Sequence, residues 1–204
     1  MREVRSPTPI SAPAPDADAM EAMPSQPPTR AEFDAFYRAH ADFVWRCLRR
    51  LGVRDGAVDD ALQEVFIVVH RRFHELRPGP TQRAWLFAIA QRVASGQRRW
   101  LRRKGNLVPL HDDLIAGSHS PLEGAIRGEA VDLVLEFLDQ LDEPRRSAFV
   151  LSELEQMTGA EAHEALGVNQ NTLYYRLTSA RKAFVDFLTE RGVLDAPASG
   201  KKKP

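Results

Sequence analysis

From Arg98 to Lys104 the chain reads RRWLRRK, five cations around one Trp. Guanidinium groups neutralise phosphates, and an exposed indole offers a face on which an unpaired base stacks. Arg92, Arg98, Arg99, Trp100, Arg102 and Arg103 are therefore candidate nucleic-acid contacts. The plainer alternative is a solvated helix end, where the macrodipole favours cations. A second set is Asn169, Gln170, Asn171, Thr172, Tyr174, Tyr175, Arg176 and Arg181. Gln and Asn can pair bidentately with adenine, and Arg reaches guanine or phosphate. A third set, Asp59, Asp60, Gln63, Glu64 and Ile67, puts carboxylates, an amide and an aliphatic group on one helix side. That side suits a protein partner or is an ordinary surface with one apolar residue. His70 and His74 have the spacing of a metal pair beside Glu75, but no third ligand is spaced to join them. With no nucleophile elbow, P-loop or Gly-rich dinucleotide loop in the chain, no enzyme activity, cofactor, metal or small-molecule substrate is expected.

The elements that must position these residues read as helices throughout. Thr29 and Glu32 form a capping-box pattern, followed by a stripe of Phe33, Phe36, Tyr37, His40, Val44, Cys47, Leu48 and Leu51 and a stop at Gly52. A second helix starts near Asp55 and turns Val58, Ala61, Leu62, Val65, Phe66, Val69 and Phe73 inward. Arg77-Pro78-Gly79-Pro80 breaks the chain before a third helix, whose inner stripe is Trp85, Leu86, Ile89, Ala90 and Val93. Its opposite side carries Arg92, Ser95, Gly96, Arg99, Arg102 and Arg103.

Residues 105–119 show no sustained period, and fifteen residues span at most ~50 Å when extended. Helix resumes at Ser120-Pro121, with Val131, Val134, Leu135, Leu138 and Leu141 as its expected buried stripe. Asp142-Glu143-Pro144 turns the chain into a helix with Phe149, Val150 and Leu154 inside. Thr158 and Glu161 form another capping box, Met157 and Ala162 sit where a hydrophobic staple would, and Gly167-Val168 ends that short helix. Asn169 caps the next, with Leu173, Leu177, Ala180, Phe184 and Phe187 inside. Short helix, Gly turn and a helix with a polar start make a helix-turn-helix.

The spacing thus predicts an all-α protein of two small helical domains joined by a flexible linker, the second containing the helix-turn-helix. The expected division is a disordered Pro/Ala-rich tail over 1–28, a domain over 29–104, a linker over 105–119, a domain over 120–192 and a tail over 193–204. The 204 residues carry a formal net charge of +0, but it is unevenly spread. Residues 30–104 have 16 Lys/Arg against 8 Asp/Glu, and residues 105–140 have 1 against 7. A basic module followed by an acidic segment fits a nucleic-acid-facing half that is shielded or partner-facing next door. One cysteine, Cys47, excludes a disulfide framework. With no ~20-residue apolar run and no signal-peptide core, a cytoplasmic location is expected.

Taken together, the motifs resemble the small two-domain sigma factors of the sigma-70 family, the extracytoplasmic-function (ECF) group. Asp59–Phe66 read DDALQEVF, similar to that family's polymerase-binding segment. Arg83–Ala90 read RAWLFAIA, its next hallmark, and run into the basic helix. Thr172, Leu173, Arg176, Leu177, Ala180 and Arg181 match its second-domain pattern. The resemblance covers about residues 30–190 and implies an RNA polymerase sigma factor that directs core polymerase to promoters and helps open the DNA. It implies that Asp59, Asp60, Gln63, Glu64 and Ile67 dock on polymerase. By the same resemblance, the loop around Phe73–Gln82 and the helix ending at Lys104 grip the minus-ten element and hold a flipped base. Asn169–Arg181 would read the minus-thirty-five element. Core polymerase and promoter DNA are the implied partners, with an anti-sigma protein expected as for many relatives. The chain departs from the family at Arg92, where Asn is usual, and at Gly96, His163, Asn171, Leu173 and Tyr174-Tyr175. The last three departures bear on the upstream promoter sequence. A polymerase-independent helix-turn-helix regulator is the alternative, but it leaves DDALQEVF unexplained.

Overall fold

The computed structural model describes residues 28–77, 79, 81–103 and 121–194, without the side chains of 121–127. The expected linker and all of the expected tails except residues 28, 193 and 194 therefore lie outside the described residues, as do Pro78 and Pro80 of the predicted loop. Among the described residues there are seven α-helices and no strand: α1 (Arg30–Arg50), α2 (Asp55–Arg71), α3 (Thr81–Arg103), α4 (Pro121–Gln140), α5 (Glu143–Phe149), α6 (Gly159–Leu166) and α7 (Gln170–Glu190). A 3-10 turn (Phe73–Glu75) follows α2, and a π-helical turn (Val150–Leu154) extends α5.

The predicted caps start and stop these helices. Thr29 Oγ1 accepts from the Glu32 amide at 3.3 Å while the Glu32 carboxylate accepts from the Thr29 amide at 2.8 Å. Thr158 and Glu161 repeat the exchange at 3.3 and 2.8 Å. Gly167 closes α6 at φ +60°, a left-handed position suited to glycine, and Asn169 Oδ1 accepts from the Thr172 amide at 2.8 Å to open α7.

Helices α1, α2 and α3 pack around Val44, Leu48, Leu51, Val58, Val65, Val69, Leu86 and Phe87, all fully buried. Burial of each such side chain contributes about 1.5–3 kcal/mol, enough to hold three long helices with little help from loops. The second group closes on aromatic rings: Phe137 of α4 meets Phe149 at 5.2 Å, Phe184 at 4.8 Å and Phe187 at 5.6 Å. Two features differ from the sequence expectation here. Val131 is exposed and Phe137 is buried in the stripe, because α5 and α7 meet α4 at Phe137, nearly two turns away from Val131. Leu154 is only half-buried, and the chain beyond Phe149 widens into the π turn, with the Glu155 amide donating to the Val150 carbonyl and the Met157 amide to the Leu151 carbonyl, both at 2.9 Å. Gln156 takes φ +52° to leave that turn.

Candidate nucleic-acid and polymerase interfaces

Side-chain alternation on α2 delivers the third predicted set to solvent. Asp59, Asp60, Gln63, Glu64 and Ile67 are all exposed, while Ala61, Val65 and Phe66 hold the opposite side in the core. Beside them runs an apolar groove of about 540 Å³ between α1 and α2, lined by Phe33, Tyr37, Leu62, Phe66 and Ile67 with Asp59 and Gln63 at its rim. Ile67 is thus part of a continuous apolar floor rather than an isolated surface residue. Trp45 Nε1 donates to Asp59 at 3.2 Å and fixes one edge of that rim. His70 of the suspected metal pair packs on Phe33 at 5.0 Å and lines the same groove.

The basic end of α3 divides into three. Arg99, Trp100, Arg102 and Arg103 are exposed, and Arg99, Arg102 and Arg103 share with Gly96 a hollow of about 500 Å³. Arg92 is exposed too, but lines a different cleft of about 220 Å³ between α2 and α3, with Glu64 and Arg72. Arg98 turns inward: it pairs with Glu143 at 2.9 Å and donates to the Leu51 carbonyl, with its side chain only 15% exposed. Burial pulls its guanidinium below the usual arginine range, and the Glu143 charge opposes that pull.

On α7, Gln170, Asn171, Tyr174 and Tyr175 project into solvent from the first turn and a half. Asn169 and Thr172 are joined in the cap, so their contribution there is to the helix start. Arg176 is half-buried, and Arg181 binds Glu153 at 2.6 and 2.9 Å.

The structure also makes pairings that the sequence pattern did not indicate, among them one that draws the candidate DNA contact Arg98 inward. Along one side of α3, Arg83, Gln91, Ser95 and Arg98 face the second helical group. Arg83 donates to the Glu155 carboxylate at 3.0 Å and its carbonyl at 3.2 Å. Arg46 reaches the same carboxylate at 3.5 Å, and Arg50 pairs with it as well. The Glu155 side chain is 3% exposed, so three arginines enclose it. Gln91 donates to Ser147 at 3.1 Å, Ser95 to Glu143, and Arg146 of α5 to the Leu51 carbonyl at 3.3 Å. Gly52, at φ +85°, leaves room for Arg146, whose Nη1 a Cβ would overlap. Burial and then the nearby Glu155 charge push the Cys47 thiol above its usual range. The only sequence signal for this face was the near four-residue recurrence of polar side chains at 83, 91, 95 and 98, which a solvated surface shows equally.

Two exposed surfaces rich in cations, amides and tyrosines thus lie on separate helical groups, with an apolar groove beside one of them, an arrangement of the two-module helical class. Family comparison agrees: the sigma-70 region 2 model matches residues 36–105, and the sigma-70 region 4 model matches residues 132–184. The chain belongs to the sigma-70 family, in its ECF group, and is a transcription-initiation factor. It is 29% identical over 174 residues to the ECF RNA polymerase sigma factor SigE of Mycolicibacterium smegmatis, a match spanning 83% of this chain and 63% of that protein. It is 26% identical over 153 residues to the RNA polymerase sigma factor NccH of Alcaligenes xylosoxydans xylosoxydans, covering 73% of this chain and 82% of the relative. Its fold matches the sigma factor RpoE, solved in complex with the anti-sigma factor NepR from Bartonella quintana, with a TM-score of 0.60 at 17% identity, over 77% of this chain and 96% of that one. No helix among the described residues is long and apolar enough to cross a membrane.

Proposed function

We propose that the chain binds core RNA polymerase through Asp59, Asp60, Gln63, Glu64 and Ile67, directs it to promoters and helps open the DNA. The observation that carries the docking assignment is the groove itself: an exposed apolar floor with an acidic and amide rim between α1 and α2. A floor of this kind loses water on docking, and the rim fixes register. The module at 29–104 works on the minus-ten element. Arg99, Arg102 and Arg103 hold phosphates, Trp100 offers its ring to an unstacked base, and Arg92 reaches the DNA from the cleft between α2 and α3. Arg98 joins them only when it leaves Glu143.

The module at 120–192 reads the minus-thirty-five element, with Gln170, Asn171, Tyr174 and Tyr175 at base edges and Arg176 and Arg181 at the backbone, while Asn169 and Thr172 hold the helix start. A single helix-turn-helix binds weakly alone, and tethering both modules on polymerase raises the effective concentration of the second contact. The chain acts in the cytoplasm, where polymerase and DNA are found. An anti-sigma protein is the expected negative partner, since RpoE is solved with one. Transcription in vitro with core polymerase on fragmented genomic DNA tests the assignment. New discrete start sites appear with the protein and vanish when Gln63 and Glu64 are both substituted. No new transcripts, and no co-elution with polymerase, would leave a polymerase-independent helix-turn-helix regulator.

A further inference from the structure

We infer that α7 reads an A·T element with uncharged groups: Gln170 and Asn171 pair with adenines, the rings of Tyr174 and Tyr175 cover thymine methyl groups, and guanine is not selected. The choice of bases rests on α7 being the minus-thirty-five helix, as proposed above, and adds what that helix takes.

From Thr158 to Tyr175 the chain has no Lys or Arg, and it carries Glu161 and Glu164. The sigma-70 region 4 match covers this whole stretch, so a DNA-reading helix here meets its target with neutral groups. The nearest cations are engaged or remote. Arg176 is half-buried and close enough to Asp142 to act on its charge. Arg181 bonds Glu153 at 2.6 and 2.9 Å. It also stands roughly 16 Å along the axis from Gln170, at 1.5 Å per residue. Guanine is selected by an Arg or Lys that spans its O6 and N7 acceptors. No such group stands in the first turn and a half of α7.

The groups that do stand there fit adenine and thymine. Gln170 with Tyr174, and beside them Asn171 with Tyr175, are two pairs four residues apart, hence neighbours on the helix surface. Each pair sets an amide one turn before a phenol ring. A side-chain amide accepts from adenine N6 and donates to N7, whereas opposite guanine its oxygen would face the O6 acceptor. An aromatic ring makes apolar contact with the C5 methyl group of thymine, which cytosine lacks. Tyr174 and Tyr175 are 70% and 75% exposed, the most of any large hydrophobic side chain among the described residues. Buried Leu173 and the Asn169 cap fix the helix start, so the four groups are presented in one arrangement. Residues 170–175 rise about 9 Å, enough for about two to three base pairs at ~3.4 Å each.

Selection from a pool of random-sequence duplexes, by the full chain bound to core polymerase, tests this. The expected yield is an upstream element of adjacent A·T pairs, fixed in strand orientation and without an invariant guanine. On the selected duplex, replacing thymine by uracil removes only the methyl group and should weaken binding about fourfold per methyl. Tyr174→Ala with Tyr175→Ala should abolish that sensitivity, and Phe at both positions should keep it. Gln170→Ala and Asn171→Ala should each relax one adenine position about tenfold. None of these variants should change the salt slope, since no phosphate contact is lost. All four side chains are exposed, so the helix itself should persist, as circular dichroism checks. An invariant guanine in the upstream element, or uracil tolerated by the unaltered protein, overturns the A·T reading. So does an upstream window without base preference in a chain that still directs polymerase, which would leave the tyrosines facing a protein. Failure to co-elute with polymerase would instead count against the sigma assignment, and the chain alone, offered the same pool at low salt, would still decide the bases.

Discussion

Two sets of arginines on α1 and α3 meet opposite fates. Arg99, Arg102 and Arg103 project from the last turns of α3 around a hollow at Gly96. Arg46, Arg50 and Arg83 instead converge on one carboxylate that is almost wholly withdrawn from water. Side-chain chemistry is identical in the two sets, so the difference lies in what stands opposite. An exposed cluster of like charges is held apart only by the helix and attracts polyanions. An enclosed carboxylate turns three like charges into one structural contact. Arg98 belongs to neither set: it is close in sequence to the first, but it pairs with Glu143 of the second helical group.

The largest expected effect separates these sets. Replacing Arg99, Arg102 and Arg103 with Ala should weaken DNA binding at every sequence and flatten the log–log salt dependence by about 2.7, at roughly 0.9 per lost phosphate contact. Replacing Arg46 and Arg50 with Ala should leave that slope unchanged. Equal losses of slope, read from fluorescence anisotropy across a salt series, would erase the distinction.

Next in size is Glu155→Ala. It leaves Arg46, Arg50 and Arg83 facing one another without their common acceptor. Removing one partner of a buried pair costs up to 3–5 kcal/mol, and the partial exposure of these arginines reduces that to about 2 kcal/mol, measurable in urea unfolding. Thr158→Ala and Asn169→Ala should each cost about 1 kcal/mol, as lost N-caps do. Asn169→Ala should also blur the recognition helix start and weaken minus-thirty-five binding more than Thr158→Ala does.

The smallest effect concerns acid. Hydrogen bonds from Thr158 hold the Glu161 carboxyl below its ordinary value of 4.5, and those from Thr29 do the same for Glu32. A carboxyl depressed in the folded state stabilises above its unfolded value, and that contribution fades as pH falls through the lower folded value. Unfolding midpoints of the protein and of Glu161→Gln should therefore differ at pH 6 and converge as pH falls below 4.5. A gap that persists at low pH would show that the box acts through shape rather than charge.

How much was legible in advance follows the range of the interactions. Capping at Thr29, Thr158 and Asn169, the turn at Gly167 and the inner stripes of α1 (apart from Tyr37, which is exposed), α2, α3 and α7 depend on residues three or four apart, and the sequence displays them directly. The exposed set on α2 was legible for the same reason. Phe137 was not, because the depth at which α5 and α7 meet α4 is set by packing among distant rings. Nor was the π turn, whose register is fixed by five- and six-residue bonds around Glu155 and Gln156.

The sequence by itself determined the helices, their caps, the helix-turn-helix and the residue types offered to DNA and to a protein partner, since local periodicity and backbone satisfaction leave few alternatives. Tertiary structure alone decided which cations remain at the surface. Arg83 and Glu155 lie 72 residues apart, and Arg46 and Glu155 lie 109 apart. No local rule relates charges at that separation; only the packing of the two helical groups, which removes water from between them, makes them partners.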